Sequence, residues 1–326
     1  MNIIEISNKF PNELDAILYF ERVRWGKVIT CPYCNGTIMF ARTDDNRHHC
    51  KTCKKSFSVT TGTHLHNTRL NLKTWMFSFC IISNAKKGVS ALQLQRDINV
   101  DYKTAWTMYH KIREMMTIEN NAVKLNDVSE IDSTWIGGKP RKCQTEKKGT
   151  PEHIPELDQL KKKYEAQGYE FAEGEYKKPC KVGNQKRGKG VADYKETVVG
   201  VVERGGDVFA EVVKNTNFTE LKKIIDKHVQ SSKTVLMMDK DTAQVKLSKI
   251  IDAIVIDHSK MYSYRGLNTN SIESFWAIIK RQIIGQHHHV SPQLLNNYVQ
   301  EVVFKYNNRK VDDMFETLVK FSMLKE

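Results

Sequence analysis

Asn268 to Lys280 reads N-T-N-S-I-E-S-F-W-A-I-I-K. Ile272, Phe275, Trp276, Ile279 and, just beyond, Ile283 recur at helical spacing, so they mark the buried stripe of an amphipathic helix. Glu273 and Lys280 fall off that stripe. Seven residues make two turns to within about 20°, so carboxylate and ammonium lie along one face, too far apart for an i,i+4 ion pair. That arrangement suits groups touching two parts of one long anionic substrate, or else a solvated charged face on a packed helix.

Two more carboxylates stand where a site would need them. Val128 to Ile136 (V-S-E-I-D-S-T-W-I) reads as a strand containing Asp132, and Thr234 to Asp239 (T-V-L-M-M-D) is an apolar run ending in an acid. An apolar run of this length is a buried strand, and an acid at its C-terminal edge faces the crevice where α/β sheets bind ligands. Asp132, Asp239 and Glu273 are therefore expected to converge. Three hard oxygen donors suit Mg²⁺ or Mn²⁺, which bind through a few carboxylates plus water and substrate phosphate. Two such ions about 4 Å apart would clamp the attacking and leaving oxygens of a phosphodiester displacement.

The length of 326 residues allows two or three domains, and 40% hydrophobic with 27% charged residues describes an ordinary globular protein. The net charge of +13 is not ordinary. It favours a polyanion partner, nucleic acid ahead of a membrane surface, because no lipid-anchor motif or basic amphipathic helix is present. The N-terminus lacks a basic region followed by an apolar core, and the longest apolar stretch, Trp75 to Ile82, is too short to span a bilayer. A cytoplasmic protein is expected.

From the start of the chain, Phe10 to Trp25 is an expected helix with Leu14, Ile17, Leu18 and Phe20 on its apolar side. Cys31-Pro-Tyr-Cys34 and Cys50-Lys-Thr-Cys53 follow, with 15 residues between the two C-x-x-C knuckles. That spacing predicts a zinc ribbon, and four thiolates give Zn²⁺ a closed, structural shell. His48 and His49 adjoin the knuckle and are expected at the surface, and Arg42, Arg47, Lys51, Lys54 and Lys55 form a basic rim. Leu70 to Ile82 reads as a packed helix with Cys80 a core thiol. Ser90 to Arg96, a turn at Ile98 to Asp101, and Tyr102 to Met116 make helix, turn, helix. On the second helix Lys103, Thr104, Thr107, His110 and Lys111 are expected outward in the half that contacts base edges in a major groove.

From Val128 strands and helices alternate. Thr197 to Arg204 and Val208 to Lys214 make a hairpin about Gly205-Gly206, Phe218 to Val229 is a helix, and the Asp239 strand, a short helix at Ala243 to Ile251 and a strand at Ala253 to Asp257 follow. This order is a mixed α/β sheet led by an antiparallel meander. Lys139 to Lys189 interrupts it with 14 Lys or Arg against 8 Asp or Glu, a basic loop that could close over a polyanion or a plain insertion. Cys143 and Cys180 within it lack a C-x-x-C partner. Pro292 to Asn308 is a further helix, and His287-His288-His289 cannot all ligate one ion because consecutive side chains point different ways.

The zinc ribbon, the helical segment, E-I-D-S-T-W-I-G-G-K (Glu130 to Lys139), V-V-G-V-V-E-R (Val198 to Arg204), N-T-N-S-I-E-S-F-W-A-I-I-K-R (Asn268 to Arg281) and Y-V-Q-E-V-V-F-K-Y-N-N-R (Tyr298 to Arg309) resemble the zinc-ribbon DDE transposases of bacterial insertion sequences. The resemblance implies a ribonuclease H-like catalytic domain in which Asp132, Asp239 and Glu273 bind two Mg²⁺ or Mn²⁺ ions. Thirty-three residues separate the last two acids, close to the family's spacing. It further implies that Lys280, with Arg281 beside it, contacts DNA next to the scissile phosphate, and that Asn270 is a ligand or supports one. The second acid sits in M-M-D-K-D-T-A rather than the family's context, so Asp241 rivals Asp239. The divisions expected are an N-terminal helix (1–27), the ribbon (28–62), a helix-turn-helix DNA-binding domain (63–122) and the catalytic domain (123–326) with the basic insertion 139–195. The implied activity is metal-dependent cleavage of double-stranded DNA at the element's terminal repeats and strand transfer into target DNA, by a homodimer on DNA. A non-catalytic DNA-binding regulator and a nuclease without strand transfer are the alternatives.

Overall fold

The computed structural model describes residues 1–40, 45–137, 166, 195–239, 246–256 and 269–324. Arg42, Asp241, Cys143, Cys180 and nearly all of the basic insertion lie outside them. The chain divides into two compact units, residues 1–136 with 196–326, and residues 137–195, and the elements described below belong to the first. No helix among the described residues is long and apolar enough to cross a membrane.

Two helices open the chain, α1 (Ile3–Lys9) and α2 (Glu13–Trp25). Asn2 and Asn12 cap them, each accepting a backbone N–H three residues on. The inward face of α2 is not the expected one: Leu14 and Leu18 are exposed, whereas Ala16, Phe20 and Glu21 are buried. The reason is polar. Glu13 accepts the N–H groups of Leu72 (2.6 Å) and Lys73 (3.1 Å), Glu21 meets His48 (2.8 Å), and Arg24 donates to Thr61 O (2.7 Å), so positions 13, 21 and 24 turn inward with 16, 17 and 20.

The short strands β1 (His48–His49) and β2 (Ser56–Phe57) pair antiparallel in the ribbon. Three helices follow, α3 (Leu72–Asn84), α4 (Ala91–Ile98) and α5 (Tyr102–Asn120). α4 ends on Asn99 in the left-handed region (φ 52°), and Asp101 opens α5 by accepting the Thr104 N–H at 2.9 Å, so the helix-turn-helix forms as its sequence predicts.

The second half is built on five strands: β3 (Leu125–Ile136), β4 (Glu196–Glu203), β5 (Val208–Val213), β6 (Val229–Asp239) and β7 (Ala253–Ile256). Their order is β5-β4-β3-β6-β7. β3, β4 and β5 form an antiparallel meander, and β6 and β7 add on parallel to β3. This mixed sheet with helices on both faces is the ribonuclease H-like arrangement. Its strands alternate sides as the pleat requires. Ile131, Val199 and Val201 pack toward α6 (Phe218–His228), and Ile136, Val198 and Val202 toward α7 (Asn270–Gln282) and α8 (Pro292–Asn307). Glu130 and Asp132 share the parity of Ile136, so they face α7.

The last helix, α9 (Met314–Ser322), does not stay with the sheet. Its Phe315, Leu318 and Val319 belong to the core formed by α1 to α5, joined there by Phe304 of α8.

Candidate functional site

The ribbon holds its four cysteines in two knuckles of matching geometry. Asn35 N–H donates to Cys31 O at 2.9 Å and Lys54 N–H to Cys50 O at 3.0 Å, and Asn35 and Lys54 both take positive φ (58° and 59°). The four Sγ atoms all lie within 4.8 Å of one another, with Cys31 to Cys53 at 3.7 Å and Cys34 to Cys50 at 3.6 Å. A tetrahedral shell with Zn–S bonds of about 2.3 Å has edges of about 3.8 Å, so these residues fit Zn²⁺. His48 is a correction to the expectation: it is buried, bound to Glu21 and edge-on to Trp25, and so ties the ribbon to α2.

On α5, Lys103 and Thr107 are exposed and Thr104 and Lys111 half-buried. The Thr104 hydroxyl is engaged with Asp101 at 2.6 Å, and that of Thr107 with Lys103 O at 2.9 Å. His110 does not point outward. It is buried against Trp106 and Tyr298, and burial, reinforced by Arg113, lowers its pKa to about 4. The exposed aromatics on this half of the helix are Tyr102 and Trp106, which sequence periodicity did not single out.

The acids lie at the C-terminal end of the parallel strands. Ile131 pairs with Met238 in the parallel ladder, so Asp132 and Asp239 are the next residues along on adjacent strands. Asp132 lies opposite Gly200 on β4. A Cβ on Gly200 would stand 2.7 Å from Trp276 Cη2, so the glycine leaves the room in which the indole crosses β4. Trp276 Nε1–H then donates to Asp132 Oδ2 at 3.0 Å. Burial is the main cause that pushes the Asp132 carboxyl above its ordinary value, and the charges of Asp239 and Glu273 push the same way. Glu273, Asn270 and Lys280 are exposed on α7, and Arg281 is exposed next to Lys280. Thr269 Oγ1 lies 3.5 Å from Glu273 Oε1. Among the described residues the four cysteines alone form a metal-ligand group as tight as 4.8 Å, so the three acids are near one another without being drawn together.

Glu130 escaped the sequence reading. It is fully buried, its Oε2 accepts the N–H groups of Ser271 (2.8 Å) and Ile272 (3.0 Å), and its Oε1 accepts Arg204 Nε–H at 2.7 Å. The available signal was its place two residues before Asp132 in a strand, hence on the same face. Also missed was a cluster between α5 and α8. Glu301 accepts from Tyr109 OH (2.7 Å), Arg113 Nε (2.9 Å) and Lys305 Nζ (2.6 Å), and it is fully buried.

Residues 11–56 match the transposase zinc-ribbon domain and residues 167–307 the ISXO2-like transposase domain. Both are transposase domains, and they bear out the resemblance to the zinc-ribbon transposases of insertion sequences. Asp239 and Glu273 fall inside the second match and Asp132 ahead of it. A Halobacterium salinarum protein, described as an uncharacterized protein in transposable element ISH50, is 24% identical over 131 residues, 39% of this chain and 43% of that protein. The chain thus spans under half the length of that relative. Two solved Mos1 transposase structures, a pre-cleavage transpososome and a paired-end complex with the left transposon end, align at 10% identity with TM-scores of 0.20 and 0.19. They cover 71% and 77% of this chain and 74% and 80% of theirs, too loosely to say anything of its site.

Proposed function

We propose that the protein is a DNA transposase whose Asp132, Asp239 and Glu273 hold a pair of Mg²⁺ or Mn²⁺ ions. The observation that carries this is the placement of Asp132, a half-buried carboxyl beside Asp239 on the adjacent strand and tied by Trp276 to the helix that carries Glu273. Such a group favours a proton or a cation. When bound, the ions would supply an activated water and neutralise charge on a phosphodiester. The donor set fits them, since all three ligands are hard oxygens and one Asp132 oxygen is already oriented by the Trp276 indole.

The remaining residues are assigned by reach and charge. Lys280 and Arg281, exposed beyond Glu273 on α7, bind DNA phosphates beside the reacting bond, and Asn270 orients a ligand at the helix start. Lys103, Thr104, Thr107 and Lys111 of α5, with the ribbon's basic rim, bind the terminal repeats of the element, and Zn²⁺ on Cys31, Cys34, Cys50 and Cys53 holds the ribbon in shape. Cleavage frees a 3′-hydroxyl, which then attacks target DNA. Because two ends must be cut and joined, the active form on DNA is at least a dimer. The setting is the cytoplasm, where the net charge of +13 meets chromosomal DNA.

The test is Mn²⁺ calorimetry on wild type, Asp239→Ala and Asp241→Ala, followed by strand-transfer assays on Asp132→Asn. Loss of binding in Asp239→Ala alone, with abolished strand transfer in Asp132→Asn, supports the reading. Full activity of Asp132→Asn with Mg²⁺ sinks it. Nicked but unjoined products would make the protein a nuclease, and retained DNA binding without any cleavage would make it a regulator.

A further inference from the structure

We propose that Glu130 is a positioning residue for the acid site: it fixes the first turn of α7, and with it Glu273, against the strand that carries Asp132. The proposal rests on the reading of Asp132, Asp239 and Glu273 as the metal-binding acids.

A helix leaves its first backbone N–H groups without intrahelical acceptors. These are usually served by the N-cap side chain, but the Thr269 side chain makes no cap bond. The acceptor comes instead from another element. Glu130 Oε2 takes the N–H groups of Ser271 and Ile272 from the middle of β3, and the positive end of the helix dipole favours the charge. Its other oxygen is held by Arg204 at 2.7 Å. Both oxygens are thus engaged and the side chain is fully buried, so Glu130 does not itself reach DNA.

The placement gives this anchor its consequence. Ile272, whose N–H is held, immediately precedes Glu273, and Asp132 lies two residues after Glu130 on the same face of β3. The Trp276 bond to Asp132 makes a second tie one turn further along α7. Glu273 sits between the two ties. Two points on one strand thereby fix both the rotation and the height of the helix, and a misplacement of about 1 Å in such a site can cost about 100-fold in rate.

The experiment compares full-length, zinc-loaded wild type with Glu130→Ala and Glu130→Gln. Gln keeps the volume and one carbonyl acceptor, so it guards against a failure of the alanine variant to fold. Three quantities are read: amide hydrogen exchange over residues 271–276, Mn²⁺ affinity, and binding of element-end DNA without divalent ions. Exchange should quicken at least tenfold in Glu130→Ala and less in Glu130→Gln, and Mn²⁺ affinity should fall in the same order, by about 10- to 100-fold for alanine, as for other groups that orient metal ligands. Exchange over α5 and metal-free DNA binding should match wild type. Unchanged exchange at 271–276 overturns the proposal, and so does faster exchange with Mn²⁺ affinity within twofold of wild type. If wild type takes up no Mn²⁺, the reading of the acid site falls first and the proposal falls with it, whatever the exchange result.

Discussion

Glu301 is fully buried and Asp132 half-buried, and the two carboxylates are held in opposite ways. Around Glu301, burial alone would raise the pKa, but Lys305 and Arg113 outweigh it and carry the carboxyl well below the usual range. Around Asp132 burial acts with, not against, its neighbours Asp239 and Glu273, and the carboxyl is raised. Glu301 is a closed account of charge and hydrogen bonds, joining α5 to α8. Asp132 is left with an unmet preference for a positive partner. The sign of the surrounding charge thus separates the acid that ties two helices together from the acid proposed to hold a metal.

The difference can be broken hardest at Glu301. Replacing it by alanine leaves Arg113 and Lys305 buried without their counter-charge, and about 3–5 kcal/mol of stability should be lost in urea denaturation. Its pH behaviour follows from its lowered folded-state pKa: the stability it provides is present above the unfolded value of about 4.3 and is lost as pH falls through that value toward the folded one. Next in size is Gly200→Val, which drives a side chain into the indole of Trp276. About 1–3 kcal/mol should be lost to overpacking, and Mn²⁺ affinity should fall because the indole no longer orients Asp132. A melt that is lowered while metal affinity stays at the wild-type value would separate Trp276 from the site.

Asp132→Asn should have the opposite sign from Glu301→Ala. A raised folded-state pKa means that the neutral form is favoured on folding, so the stability contribution is full below the unfolded value of about 3.9 and is lost as pH rises through the folded value. At neutral pH without divalent metal, the asparagine variant should melt slightly above wild type, and added Mn²⁺ should raise the wild-type melt alone. A lower melt for the variant under metal-free conditions would contradict the description of Asp132. The smallest effect belongs to the exposed pair Lys222 and Asp226, 2.9 Å apart on α6, where Lys222→Ala should change stability by no more than about 0.5 kcal/mol.

Features carried by short-range pattern were legible in the sequence. The cysteine knuckles, the helix-turn-helix and the buried stripe of α7 depend on spacing, and Ile272, Phe275, Trp276, Ile279 and Ile283 are all buried as their period implies. Distant polar pairs were not legible. Leu14 and Leu18 lost the core to Glu13 and Glu21 because those acids find partners at residues 72, 73 and 48. His110 turned inward because Tyr298, far along the chain, lies against it. Glu130 could be placed beside Asp132 by alternation, but nothing local says that a helix more than a hundred residues later presents its N–H groups there.

The seating of α9 among α1 to α5 has a consequence for how the protein is made. Phe315, Leu318 and Val319 complete the core that supports the helix-turn-helix, yet they leave the ribosome after the whole sheet has emerged. Until then the N-terminal helices expose the apolar surface that α9 will cover, so a nascent or prematurely ended chain should be a poor DNA binder and a ready substrate for chaperones and proteases. The DNA binding proposed for these helices is in this way deferred until translation has passed every acid of the proposed catalytic centre.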